Sequence, residues 1–279
     1  MDVTRRAGFG SRVQTRSVSA VIPALNEAQN IEWVLRRLPA CVDEVLVVDG
    51  RSTDGTTEIA KQVRPDARIV CEMRPGKGAA LRAGFEAAEG DYVVMLDADG
   101  SMEPGEIERH VAMLDEGFDL VKGSRFMDGG GTTDISRLRA FGNFALLGIA
   151  NRFYGCRFTE LCYGFMAFRR DVLPRLQLSA DGFEIETQIV AHAVRSGLSV
   201  VEVASFEAPR RSGESNLRTF RDGSRVLREL LRARRRDLSF PATEPPVTSR
   251  PRRFSRPSAQ VPEPVTATAS SDGGGQSIA

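Results

Sequence analysis

The sequence predicts an α/β fold with a mainly parallel central sheet and helices on both faces. Two observations carry this. From Ser17 onward, short apolar runs rich in Val and Ile alternate with stretches of helical period. Strands that alternate with helices at this spacing imply a mainly parallel sheet with helices on both faces. Two of the apolar runs end on an aspartate, Asp49 and Asp97, and in such sheets ligands bind beyond the carboxyl ends of the strands.

The elements follow in order. Ser17–Ile22 reads as a strand, and Glu27–Leu38 as a helix with Ile31, Val34, Leu35 and Leu38 on one face. Glu44–Val48 is a buried strand, and Thr53-Asp54-Gly55 opens a helix running to about Val63. A strand is expected at Arg68–Cys71, a helix at Gly76–Ala88 and a strand at Tyr92–Leu96. Helix Glu103–Leu114 and strand Asp119–Lys122 complete the regular part. Phe126–Thr133 holds too much glycine for a packed element and reads as a mobile loop. Beyond it come helix Arg137–Phe153, strand Gly164–Arg169, helix Glu184–Ser196 and strand Ser199–Ser205. Leu217–Arg236 reads as a basic amphipathic helix whose stripe of Leu217, Phe220, Leu227 and Leu231 packs on the body. This gives a basic lead-in at 1–16, a domain at 17–217, the helix at 218–236 and a tail at 237–279. The tail holds seven of the 14 prolines, so it and the lead-in are expected to be disordered.

The 38 basic and 37 acidic residues sum to +1, which gives no footprint for nucleic acid. The sum hides segregation: residues 17–206 carry −8, residues 1–16 carry +3 and residues 207–236 carry +6. With only two histidines, His110 and His192, a Ser-His-Asp triad or a multi-histidine metal site has almost no material. The four cysteines form no CxxC pair and read as reduced thiols. The longest near-apolar run, Phe141 to Ala150, is half the roughly 20 residues of a membrane span. No apolar signal region follows the basic N-terminus. A cytoplasmic protein, peripheral at most to a membrane, is expected.

Asp97-Ala98-Asp99 follows an apolar strand, so its two carboxylates project to one side. Such a pair can hold Mg²⁺ or Mn²⁺ against a diphosphate; two solvated acids at a strand exit are the plain alternative. An EF-hand fails because Met102 stands where the loop needs glycine. A phosphatase that uses Asp97 as nucleophile is a minor rival. Gly76-Lys77-Gly78 opens a helix, whose N–H groups favour phosphate, although a plain helix start fits equally. Gly182-Phe-Glu-Ile-Glu186 places two acids at another helix start, and Arg210-Arg211-Ser-Gly-Glu-Ser-Asn216 is a cationic turn suited to a phosphate clamp or to plain solvation.

Taken in order, these pieces resemble a family 2 glycosyltransferase of the GT-A fold, nearest the dolichol-phosphate (polyprenyl-phosphate) mannosyl- and glucosyltransferases. Further pieces are Ile22-Pro-Ala-Leu-Asn-Glu27, Val48-Asp-Gly-Arg-Ser-Thr-Asp-Gly-Thr56, Gly123-Ser-Arg125 and Thr159-Glu-Leu-Cys-Tyr-Gly-Phe165. The resemblance implies that Pro23, Leu25, Glu27, Val48 and Asp49 line the base and ribose pocket, with Lys77 also on the nucleotide sugar. Asp97, Ala98 and Asp99 would hold the diphosphate and its metal, Asp99 chiefly. Arg125, Arg210, Arg211 and Asn216 would meet donor or acceptor phosphate, and Glu160 would be a base or an acceptor-orienting acid. The implied reaction is inverting transfer of a hexose from GDP-mannose or UDP-glucose to a polyprenyl phosphate. The alternatives are a soluble transferase acting on a small molecule and an inactive nucleotide-sugar-binding or membrane-adaptor module. In the second, Met166 and Asn216, which stand where relatives carry Arg and Lys, would reflect lost activity. The basic helix adds an anionic membrane surface as a further partner.

Overall fold

Val18–Ala24 (β1) alternates its side chains between two apolar layers. Val18, Ala20, Ile22 and Ala24 enter one buried cluster, while Val21 enters another. Glu44–Asp49 (β2) and Tyr92–Met95 (β4) do the same, with Val45, Val47 and Val94 on the first face and Leu46, Val48, Val93 and Met95 on the second. Strands apolar on both faces need cover on both faces, and each buried Leu or Phe contributes roughly 1.5–3 kcal/mol.

The computed structural model describes residues 16–133, 135–213 and 219–235, all within one compact unit. Residues 1–15 of the basic lead-in, Asn216, Leu217 and the tail at 237–279 lie outside the described residues. The sheet has seven strands in the order β3-β2-β1-β4-β7-β5-β8, with β3 at Arg68–Cys71, β5 at Leu120–Ser124, β7 at Met166–Arg169 and β8 at Val200–Ala204. Pairing is parallel except at β7, which runs antiparallel to both β4 and β5. The mainly parallel sheet is therefore as expected.

The first face is covered by α1 (Ile31–Arg36), α2 (Thr56–Val63) and α4 (Ile107–Asp115), the second by α3 (Lys77–Ala87), α6 (Leu173–Leu176) and α7 (Ile185–Arg195). The first helix is shorter than its apolar pattern suggested. The amides of Asn30 and Ile31 both donate to the Glu27 carbonyl, so a turn occupies the stretch before Ile31. A short 3₁₀ turn at Pro104–Glu106 likewise precedes α4.

Two expectations are corrected. The glycine-rich stretch 126–133 is not free: Gly131–Thr132 (β6) pairs with Phe206–Glu207 (β9), a partner about 75 residues away in the chain. The second concerns α8 (Thr219–Arg235), which packs with α5 (Arg137–Tyr154) through Leu147, Ala150, Val226 and Leu230. Its predicted stripe faces outward, with Phe220 80%, Leu231 43% and Leu227 37% exposed. The body-facing side carries Asp222, Val226, Glu229, Leu230 and Ala233 instead. Leu138, Phe141 and Phe144 of α5 are exposed as well. Among the described residues no helix is long and apolar enough to cross a membrane.

Candidate active site

The carboxyl ends of β1, β2 and β4 open on one edge of the sheet, because these strands are parallel and in register. Asp97 and Asp99 leave β4 there. Lys77, at the start of α3, places Nζ 2.6 Å from Asp97 Oδ1 and 2.7 Å from Glu186 Oε1 on α7. Burial pulls the ammonium pKa down, but the two carboxylates outweigh it and hold the pKa above its ordinary value. Burial pushes the Asp97 carboxyl up to about 6, with Lys77 opposing and Asp99 and Glu186 adding to the rise. Asp99 Oδ1 accepts from the Ser101 amide and hydroxyl at 3.0 and 2.8 Å. Arg210 reaches across from the 207–213 segment: Nη1 lies 3.5 Å from Asp99 Oδ2, Nη2 contacts Glu27, and Nε donates to the Ser212 carbonyl. The Glu27 carboxyl is raised, by burial first, against the pull of Asn30 and Arg210. Arg211 stacks on Trp33 at 5.0 Å and donates its amide to the Asp99 carbonyl.

The Gly-Lys-Gly turn resolves differently from a phosphate cradle. The amides of Gly78 and Ala79 donate to the Asp181 carbonyl. A Cβ at Gly76 would lie 2.1 Å from that same oxygen, and one at Gly78 would lie 2.4 Å from the Ala180 carbonyl. The glycines let two backbones touch, and only Lys77 points into the site.

The expected base and ribose residues divide. Pro23 is half-buried and Leu25 is 44% exposed, so both are open to a ligand at the strand exit. Val48 is fully buried beneath α3, where its side chain approaches Gly84, and cannot line a pocket. Ala98 is likewise part of the core. The Asp49 carboxylate accepts from the amides of Arg51 and Ser52 at 3.1–3.2 Å, which shapes its own loop.

Arg125 and Glu160 also depart from expectation. Glu160 is fully buried, with Oε2 2.8 Å from Arg125 Nε and Oε1 accepting from the Leu161 amide. With no exposed surface and its carboxylate turned to Arg125, Glu160 does not fit the expected base or acceptor-orienting acid in this geometry. Arg125 spends Nη1 on Glu207 at 2.7 Å and Nη2 on the Cys162 carbonyl at 3.1 Å. Behind them, Glu202 accepts from the amide and hydroxyl of Thr159 and from the Glu160 amide, 4.0 Å from the fully buried Lys122. Burial drives the Lys122 pKa down.

Arg125, Glu186 and Glu207 line a cavity of about 160 Å³ between α5 and α8, with Leu146, Phe183 and Val226 as apolar lining. Arg139 of α5 also lines it and forms no ion pair among the described residues. Arg139 and Glu207 were missed in the sequence because neither sits in a local motif. Glu186 shows in the sequence only as one of two acids at a helix start, because its partner Lys77 is 109 residues away. Among the described residues no three His, Cys, Asp or Glu side chains gather to hold a metal alone. The Asp97–Asp99 pair still suits Mg²⁺ or Mn²⁺, hard cations that take one or two carboxylates and complete their shell with substrate phosphate and water.

The pattern of Glycosyl transferase family 2 matches residues 19–176. Glycosyltransferase AglJ of Haloferax volcanii is 34% identical over 224 residues, which cover 77% of this chain and 71% of its own. Polyprenol monophosphomannose synthase of Mycolicibacterium smegmatis is 32% identical over 216 residues, 73% and 82% of the two chains. Among solved structures, glucosyl-3-phosphoglycerate synthase from Mycobacterium tuberculosis is similar with a TM-score of 0.63 and 30% identity. The match covers 78% of this chain and 80% of that one, in a complex with Mn²⁺, UDP-glucose and phosphoglyceric acid.

Proposed function

The chain belongs to glycosyl transferase family 2 and is a glycosyltransferase of the GT-A fold, and from that premise we propose that it transfers a hexose from a nucleotide sugar, of the GDP-mannose or UDP-glucose type, to a polyprenyl-phosphate-like acceptor, with inversion. The observation that carries this is Glu186, which binds Lys77 on the donor side and lines the α5–α8 cavity on the other. The donor-side carboxylates and a part-apolar, cation-bearing cavity thus meet at Glu186.

In this reading Asp97 and Asp99 would hold Mg²⁺ or Mn²⁺, a cation that would supply charge neutralisation for the leaving diphosphate. Pro23, Leu25 and Glu27 flank the nucleotide. Arg210 and Arg211 close on the donor from the 207–213 segment. Arg139 takes the acceptor phosphate, while Arg125, held by Glu160 and Glu207, fixes the cavity wall. An acceptor phosphate oxygen forms the new bond to the anomeric carbon as the bond to the nucleoside diphosphate breaks. That oxygen is already anionic near neutral pH, so orientation matters more than a general base.

The acceptor's setting is an anionic membrane surface met by the exposed ridges Leu138, Phe141 and Phe144 of α5 and Phe220, Leu227 and Leu231 of α8. Loss of flotation with anionic vesicles in Phe141→Asp/Phe220→Asp is expected; unchanged flotation would remove this surface.

A second reading, a soluble small-molecule acceptor, is favoured by the cavity's modest volume and by the phosphoglyceric acid in the similar synthase complex. Incubation with Mn²⁺, labelled UDP-glucose or GDP-mannose, and polyprenyl phosphate separates the two. Label in the organic extract supports the lipid acceptor. Label confined to water-soluble product supports the second reading, and donor binding without transfer supports a binding module.

A further inference from the structure

A second concavity lies on the other flank of α8. It measures about 570 Å³, and its walls are residues 75–77, residues 179–184 and one face of the helix. That face presents Arg221, Arg225, Arg228 and Arg232 at intervals of four, three and four residues, a single stripe about 16 Å long. Like charges at such intervals repel within a helix. Arg225 is offset by Asp222 at 3.6 Å, but Arg221, Arg228 and Arg232 form no ion pair among the described residues. Of the other acids in the lining, Asp181 binds Arg82, Glu229 accepts from Gln188 at 2.7 Å, and Glu184 accepts from the Gly182 amide at 3.3 Å and leaves its other oxygen unpartnered on the Arg225 side of the groove, so that three arginines remain without an acid. The guanidinium groups therefore line a groove and leave a row of forked donors suited to phosphate oxygens.

We infer that this groove is a binding site for a row of phosphate groups, distinct from the donor and acceptor positions. Its length matches several phosphates better than one. It touches the donor side only through Lys77 and the acceptor cavity only through Phe183 and Asp222. The row of phosphates comes either from the headgroups of an anionic bilayer or from a free polyphosphate. The inference does not depend on the transferase reading, since the site is read by binding alone.

The test is calorimetric titration of the full chain with inorganic tripolyphosphate. Saturable binding is expected, weakened at least tenfold in Arg228→Glu/Arg232→Glu and unchanged within twofold in Arg152→Glu/Arg157→Glu. The latter makes the same charge change on exposed residues outside the groove. Circular dichroism melts confirm that both variants are folded. Phosphatidylglycerol vesicles that compete with tripolyphosphate assign the site to headgroups; vesicles without effect assign it to a soluble polyphosphate. Absence of binding, equal weakening in both variants, or one-for-one displacement by UDP would overturn the inference.

Discussion

Lys77 Nζ lies 2.6 Å from Asp97 Oδ1, and the same ammonium holds Glu186 at 2.7 Å. One cation thus ties the exit of β4 to the start of α7 and keeps two buried acids in register. Removing it in Lys77→Met leaves Asp97 facing Asp99 and Glu186 without the ammonium between them. The Asp97 carboxyl, already pushed up to about 6, would rise further. The acid limb of the kcat/KM profile should move to higher pH, with transfer reduced about 10- to 100-fold, since one pKa unit corresponds to roughly 1.4 kcal/mol. An unmoved acid limb would show that Asp97 need not be ionised.

Arg125 sits between Glu160 and Glu207 with its side chain 8% exposed. In Arg125→Ala both acids lose their partner, and Glu160 is fully buried. Chemical denaturation should show a loss of about 3–5 kcal/mol, the usual cost of an uncompensated buried charge. Adding Glu160→Gln should recover part of that loss. An equally unstable double variant would contradict the coupling.

Arg139 makes a different prediction. It is half-buried, lines the α5–α8 cavity and pairs with no acid among the described residues, so Arg139→Ala should fold normally. Acceptor KM should rise about 10- to 100-fold with kcat little changed, matching the roughly 1.5–3 kcal/mol of a charge-assisted hydrogen bond. A fall in kcat at constant acceptor KM would place Arg139 at the reacting bond instead.

His110 is fully buried, stacked on Phe165 at 4.4 Å, with Nδ1 2.9 Å from the Glu106 carbonyl. Burial lowers its pKa to about 4. The unfolded chain therefore binds the proton first on acidification. The stability this group contributes is present above about 6.5 and is lost as the pH falls through about 4, up to about 3 kcal/mol. Asp97 acts with the opposite sign, because its raised pKa makes ionisation costly as the pH rises through about 6. In His110→Phe the fall in melting temperature between pH 6.5 and 4 should flatten; an unchanged fall would assign the acid sensitivity elsewhere.

The sequence made the sheet legible because each strand is a short apolar run, and it made Asp97 and Asp99 legible because they follow such a run at a spacing of two. What it hid was the direction in which a pattern faces. Val48 was correctly placed on a strand, yet a strand buried on both faces gives no sign that Val48 meets α3. The 3.6-residue period of α8 showed a stripe of Phe220, Leu227 and Leu231, but a stripe does not say which side the body covers. The body covers Asp222 and Glu229. Partners distant in the chain were equally invisible: Gly131–Thr132 becomes a strand only because Phe206–Glu207 lies beside it, and Glu160 turns inward to Arg125, 35 residues away. Arg139 carried no motif at all.

Hexosyl transfer is proposed to take place at the Asp97–Asp99 pair beside the α5–α8 cavity. The most direct measurement follows nucleoside diphosphate release and labelled product together, with Mn²⁺, nucleotide sugar and polyprenyl phosphate, in the native chain and in Asp99→Ala. Stoichiometric release and organic-extractable product in the native chain, both lost at least 100-fold in the folded variant, are expected. Undiminished product formation by Asp99→Ala would contradict the account.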